Sequence, residues 1–178
     1  PGVTLSFTSA SDIMLAGTNT SRGELVVQGT LVADGTPAMP VTFASTSTTA
    51  GSWYGLDLDT GAHATVLDNV VIRSATYGLN YRSTRSGNMM KKIAIESGQS
   101  YGAYLRQGSP AIDALTVTSS GYGVFIAEAS SPTLTNCVIR NNSSAGIYVT
   151  HNTPGRSVTV TNCTLNANGS YNIGVGSI

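Results

Sequence analysis

Gly55-Leu56-Asp57-Leu58, Gly78-Leu79-Asn80-Tyr81, Gly102-Ala103-Tyr104-Leu105, Gly123-Val124-Phe125-Ile126 and Gly146-Ile147-Tyr148-Val149 are versions of one four-residue step. A sixth, Asn172-Ile173-Gly174-Val175, carries asparagine in place of the lead glycine. The lead positions are separated by 23, 24, 21, 23 and 26 residues. A period of this size marks a repeat architecture, in which each unit buries its apolar side chains only against its neighbours. Within the step, two apolar residues flank one of any kind, which is the alternation of a half-buried strand.

A second segment recurs in the same register. It reads Leu67-x-x-Val70-x-Ile72, Met90-x-x-Ile93-x-Ile95, Ile112-x-x-Leu115-x-Val117, Leu134-x-x-Cys137-x-Ile139 and Val160-x-x-Cys163-x-Leu165. Its last two apolar positions also alternate, and turn-forming stretches such as Arg140-Asn141-Asn142-Ser143-Ser144 separate it from the glycine step. No stretch carries a helical period, which excludes an alternating α/β design. Short strands returning in one direction require a coil that closes on itself and climbs one strand spacing per turn. The expected fold is all-β, a parallel β-helix (β-solenoid) of about seven to eight coils with ~23 residues each, forming one domain over 1–178.

In such a coil, equivalent residues stack into ladders. One inward ladder is expected from Leu56, Leu79, Ala103, Val124, Ile147 and Ile173, another from Val70, Ile93, Leu115, Cys137 and Cys163. Asn69, Asn136 and Asn162 share a turn position where amides could hydrogen-bond along the axis, with Lys92 and Ala114 interrupting the row. The two cysteines are expected to pack as buried free thiols, because in-register stacking seldom gives disulfide geometry.

Composition narrows the function. Nine basic residues balance nine acidic ones. That argues against a nucleic-acid partner, which needs a basic stripe to neutralise phosphates. It argues equally against a polybasic membrane anchor, and no segment approaches the roughly 18 apolar residues of a spanning helix. The surface filler is Ser, Thr, Asn and Gly, with Lys91 and Lys92 the only lysines, a composition that points to a secreted or cell-surface setting. Pro1-Gly2-Val3-Thr4-Leu5 reads as a trimmed boundary without a signal peptide, and Ile173-Gly174-Val175-Gly176-Ser177-Ile178 is still strand-like at the last residue. The chain is therefore expected to be a fragment whose parent continues.

The N-terminal part carries Gly17, Gly23, Gly29 and Gly35 at six-residue steps, turn markers between short strands, and a rigid corner at Pro37-Ala38-Met39-Pro40. Gly23-x-Leu25-x-Val27-x-Gly29-Thr30-Leu31-x-Ala33-x-Gly35-Thr36, then Pro40-Val41-Thr42-Phe43, then Trp53-Tyr54-Gly55-Leu56 lead into the repeated coils. This run resembles the right-handed parallel β-helix repeat proteins of the pectate-lyase-like superfamily, especially the repeat regions of large bacterial secreted and surface proteins. The resemblance, with the crossover rule for parallel strands, implies a right-handed coil. It is nearly silent on function, because that fold serves lyases, hydrolases, tailspikes, adhesins and spacers.

Candidate functional residues follow from the alternation. Side chains between two inward positions point out, so Asp57, Asn80, Tyr104, Phe125, Tyr148 and Gly174 form one outward row. Its three aromatics would make a flat stripe suited to the apolar faces of sugar rings, or one packed across strands or covered by another segment. Asp59, Arg82, Arg106, Ala127 and Thr150 form a second row, where Asp59 and Arg82 can pair and Arg106 offers a fork for a carboxylate or hydroxyls. Tyr54, Tyr77, Tyr101, Tyr122 and Tyr171 precede the lead position and read as a stacked corner ladder. Five Asn-x-Ser/Thr triplets, at Asn19, Asn141, Asn142, Asn162 and Asn168, matter only if the source glycosylates them.

Enzymes of the resembled superfamily, it is implied, place catalysis on this sort of outward face, with an acidic calcium cluster and a basic residue or with converging aspartates. Asp57, Asp59, Arg82 and Arg106 are the only such cluster, and surface salt bridging is the plainer reading of them. His63 and His151 fall on different coils and registers, which disfavours a metal centre or a Ser/His/Asp arrangement. The expectation is a non-catalytic structural or adhesive module without cofactor or metal. Its binding residues would be Tyr104, Phe125, Tyr148, Arg82, Arg106, Asn80 and Asp57, and its partner a polysaccharide or another surface protein. The alternatives are a polysaccharide lyase or glycoside hydrolase, and a subunit that stacks end to end into filaments.

Overall fold

The computed structural model describes residues 3–15, 22–150 and 153–176. Gly17, Asn19 and His151, with both chain ends, lie outside the described residues. The glycine steps form one seven-stranded parallel sheet, from Glu24–Val27 through Gly55–Leu58, Tyr77–Tyr81, Tyr101–Gly108, Tyr122–Ser130 and Ala145–Thr150 to Tyr171–Val175. Leu25, Leu56, Leu79, Ala103, Val124, Ile147 and Ile173 pair successively along it, so the expected ladder exists and extends one coil further back. Seven coils result.

The remaining twelve strands form a sheet creased lengthwise into two parallel ladders. Val66–Arg73 and Met89–Glu96 run through both ladders and bend at the crease. The crease is a row of left-handed residues: Asn69 (φ 50°), Lys92 (52°), Ala114 (53°), Asn136 (56°) and Asn162 (52°). Five positions later comes a second such row, Ser74, Ser97, Ser119, Asn141 and Ala167, with φ between 50° and 58°. Each row turns the chain from one face to the next. The asparagines suit these corners because a short polar side chain tolerates the left-handed region better than others do.

The expected amide stack at the crease does not form. Asn69 Nδ2 donates to the Gly35 carbonyl (3.2 Å) and to Asp68 Oδ1 (2.8 Å), and Asn136 Nδ2 to Asp113 Oδ1 (2.7 Å). The polar ladder that climbs the axis lies at the other corner. There Ser120 Oγ accepts from Gly98 N (3.1 Å), Asn142 Oδ1 from Ser120 N (3.0 Å), and Asn168 Oδ1 from Asn142 N (3.2 Å) and Nδ2 (2.9 Å). Side chains of one coil thus satisfy turn amides of the coil beneath, which a buried turn requires.

The glycine that starts each step is demanded by close approach. A Cβ on Gly102 would sit 2.2 Å from Val117 Cγ1 and 2.6 Å from the Gly123 carbonyl oxygen. Any side chain there would push the glycine-step sheet off the neighbouring ladder. Inside the prism, Leu56, Leu79, Ile93, Leu105, Val117 and Ile126 are fully buried with Phe43 and Trp53. Trp53 Nε1 donates to the Arg73 carbonyl (2.7 Å), so its one polar atom is satisfied. Cys137 is buried and Cys163 half-buried, and both are free. The Cys137 amide donates to Cys163 Sγ (3.3 Å). Burial pushes the Cys137 thiol up to about 12, with Cys163 adding to it, so Cys137 acts as a small core side chain rather than a nucleophile.

Candidate functional site

Strand register builds the outward row as the alternation requires. Val26, Asp57, Asn80, Tyr104, Phe125, Tyr148 and Gly174 are successive partners across the seven coils. The row changes character halfway up. Asp57 and Asn80 are buried, at 3% and 9% exposure, whereas Tyr104, Phe125 and Tyr148 are half-exposed.

The aromatics do not form an isolated stripe. Ring centroids of Tyr104 and Phe125 lie 5.6 Å apart at 82°, and those of Phe125 and Tyr148 5.6 Å apart at 31°. The corner tyrosines interlock with them: Tyr101 lies 4.7 Å from Tyr104 and 4.6 Å from Phe125, and Tyr122 lies 5.2 Å from Phe125 and 5.5 Å from Tyr148. Tyr77 stacks on Tyr101 at 5.4 Å and 15°, the one flat pair in the expected corner ladder. Six rings therefore form a continuous pavement over the third to sixth coils, each half-buried by the others. Burial raises the Tyr101 and Tyr104 hydroxyls above the ordinary phenol range, keeping both as neutral donors. On the next coil, a Cβ on Gly174 or Gly176 would come within 2.7 Å of the Tyr148 side chain, so these two glycines give its ring a shelf.

The lower half of the row is ionic. Arg82 grips Asp57 with Nε (3.2 Å) and Nη2 (2.5 Å) and reaches Asp59 at 3.3 Å. Asp57 raises the Arg82 guanidinium further, and the Thr60 amide followed by the Gln28 side chain holds the Asp59 carboxyl below its ordinary range. Burial, then the nearby Asp57, lifts Glu24. The expected Asp59–Arg82 pair is present, with Asp57 as the closer partner.

Above it, the second row departs from strict alternation. Leu105 pairs with Ile126 and Gln107 with Ala129, so two steps on one strand face three on the other. Glu128 is in this bulge with φ 51°. The bulge leaves Ala127 buried at 6% exposure, not outward as alternation predicts, and swings Glu128 to the surface instead. Glu128 Oε1 accepts from both Arg106 Nε (2.6 Å) and Nη2 (2.5 Å). Arg106 also lies over the Tyr104 ring, 5.3 Å from its centroid. Glu128 is the site residue that sequence reasoning missed. Its signal was the short 21-residue interval preceding its coil, which marks local irregularity without saying which residue is displaced.

The other candidates scatter. Tyr54 and Tyr171 are exposed at the ends of the sheet, Tyr54 beneath the Arg22 guanidinium at 5.8 Å. His63 Nδ1 sits 2.9 Å from the Gly61 carbonyl, and among the described residues no group of three or more His, Cys, Asp or Glu is placed to hold a metal ion. Asn142 is buried in the polar ladder, while Asn141 and Asn162 are exposed.

A prism of parallel ladders, corner rows and stacked glycines defines a parallel β-solenoid repeat protein. The family model described as "Right handed beta helix region" matches residues 34–177, and the chain belongs to that family. No curated protein and no solved structure matches the chain.

Proposed function

We propose that this chain is a rigid, non-catalytic module of a secreted or cell-surface protein, and that the aromatic pavement of its glycine-step sheet binds glycan. The carrying observation is the six-ring cluster across four coils, half-exposed on an outward face. Sugar rings present apolar C–H faces to such surfaces and hydroxyls to the polar groups beside them. Tyr104, Phe125 and Tyr148 provide the stacking surface, Arg106 borders it, and Asn80, Arg82 and Asp57 close its lower end. Each ring is braced by neighbours on a hydrogen-bonded sheet, which keeps the ordering cost of binding low. The Ser, Thr and Asn surface with few charges supports an extracellular setting.

The non-catalytic reading rests on the ion pairs. Arg82 is committed to Asp57 and Asp59, and Arg106 to Glu128, so the groups a lyase or hydrolase would need are bound to one another. End-to-end association through unpaired strand edges is the alternative reading. Its mark is a particle size that rises with protein concentration.

The test is a polysaccharide-binding screen of this chain beside the Tyr104→Ala/Phe125→Ala/Tyr148→Ala variant, both checked for folding by circular dichroism. Binding that falls more than about tenfold in the variant supports the pavement as the site, since stacking contacts contribute roughly 0.5–1.5 kcal/mol each beyond area. Binding that survives the triple substitution contradicts it. Binding to no polymer leaves the structural role with a protein partner on this face.

A further inference from the structure

We infer that the pavement takes an uncharged glycan, and that Glu128 is the residue that sets this preference. The inference rests on the glycan reading above and adds the ligand's chemical class.

It starts from the bulge. Glu128 is held at φ 51°, a region non-glycine residues occupy at a cost, in a strand that would otherwise present it to the interior. A bulge re-aims a side chain, and here the re-aimed group is a carboxylate on the Arg106 guanidinium. That guanidinium lies over Tyr104 and, without Glu128, would be the positive charge an acidic sugar needs. Its Nε and Nη2 are both spent on Glu128 Oε1. Arg82, lower on the same outward rows, is spent on Asp57 and Asp59. Glu128 thus neutralises the guanidinium beside Tyr104, as Asp57 and Asp59 neutralise Arg82 on the lower coils.

A uronate or sulfated polymer finds no unpaired fork on Arg82 or Arg106, and Arg22, at the Tyr54 corner, donates to Thr76 Oγ1 (2.9 Å). A neutral sugar meets something it can use. About a third of the Arg106 and Glu128 side chains reaches solvent. Arg106 Nη1 is left as a donor and Glu128 Oε2 as an acceptor on an ion pair whose guanidinium lies over the Tyr104 ring. That pairing of one donor with one acceptor is complementary to adjacent hydroxyls on a ring stacked over the aromatics.

The experiment compares affinity for a neutral panel (hydroxyethylcellulose, xyloglucan and galactomannan) with affinity for polygalacturonate, using the unmodified chain and Glu128→Gln. The substitution keeps the size and one acceptor but removes the charge that occupies Arg106. The unmodified chain should bind its best neutral polymer at least about tenfold more tightly than polygalacturonate, and Glu128→Gln should narrow that ratio to within about threefold. Thermal melting of both proteins separates this from loss of the bulge, which would weaken both polymers together. Equal or tighter polygalacturonate binding by the unmodified chain overturns the inference, as does an unchanged ratio in Glu128→Gln. In both of those outcomes the glycan reading survives. Binding to none of the polymers overturns the two together.

Discussion

The lower and upper coils place most of their aromatic residues on opposite sides of the same wall. In the lower coils Phe43, Trp53 and Tyr81 are inside, while the outward row carries the Asp57–Arg82 ion pair. In the upper coils the interior is Leu, Ile, Val and Ala with Cys137, and the aromatics stand outside as Tyr101, Tyr104, Tyr122, Phe125 and Tyr148. Register, strand direction and coil geometry are shared by both halves. The backbone therefore supplies addresses, and the residue at each address decides whether a coil contributes stability or a surface. An interior tryptophan stabilises by filling volume. A surface cluster of the same chemical type leaves part of each ring exposed, and that exposed area is what the proposed glycan contact would use.

Two substitutions sharpen that contrast. The largest effect should come from Trp53→Ala, which removes a fully buried indole and leaves the Arg73 carbonyl without its donor. It should cost about 3–5 kcal/mol in a urea titration, yet leave the glycan affinity of the folded fraction unchanged, because the pavement lies on later coils. A smaller effect is expected from Asp57→Asn. Arg82 keeps Asp59 and remains partly in water, so the loss should be about 1–2 kcal/mol, short of a fully buried ion pair. Glycan affinity should change less than about threefold, because buried Asp57 closes the lower end of the site only through Arg82, which Asp59 still holds. A large binding defect in Asp57→Asn with intact stability would move the site down the row and erase the distinction between the halves.

The sequence carried most of the fold because the glycine step fixes two things together. Its alternation names the inward residues, and its glycine, required by the 2.2 Å approach to Val117, marks where two faces meet. The outward row Asp57, Asn80, Tyr104, Phe125, Tyr148 was equally legible, since in-register parallel stacking converts repeat alignment directly into contact. What stayed hidden was set by turns and bulges, where alternation does not specify direction. Asn142 looked like a glycosylation triplet and is a buried rung between Ser120 and Asn168. Asn69 and Asn136 looked like rungs and are corner residues chosen for a left-handed backbone. Glu128 was invisible because one extra residue in its strand reverses the side it faces.

The account turns on the upper coils being the contacted surface, and tyrosine nitration reads that residue by residue. The chain would be treated with tetranitromethane alone and when saturated with the tightest-binding polymer of the panel, then mapped by peptide mass spectrometry. The account predicts that bound polymer protects Tyr104 and Tyr148 while Tyr54 and Tyr171, exposed at 43% and 57% at the ends of the same sheet, are nitrated as before. Unchanged nitration of Tyr104 and Tyr148 under bound polymer, or protection confined to Tyr54 or Tyr171, would contradict it.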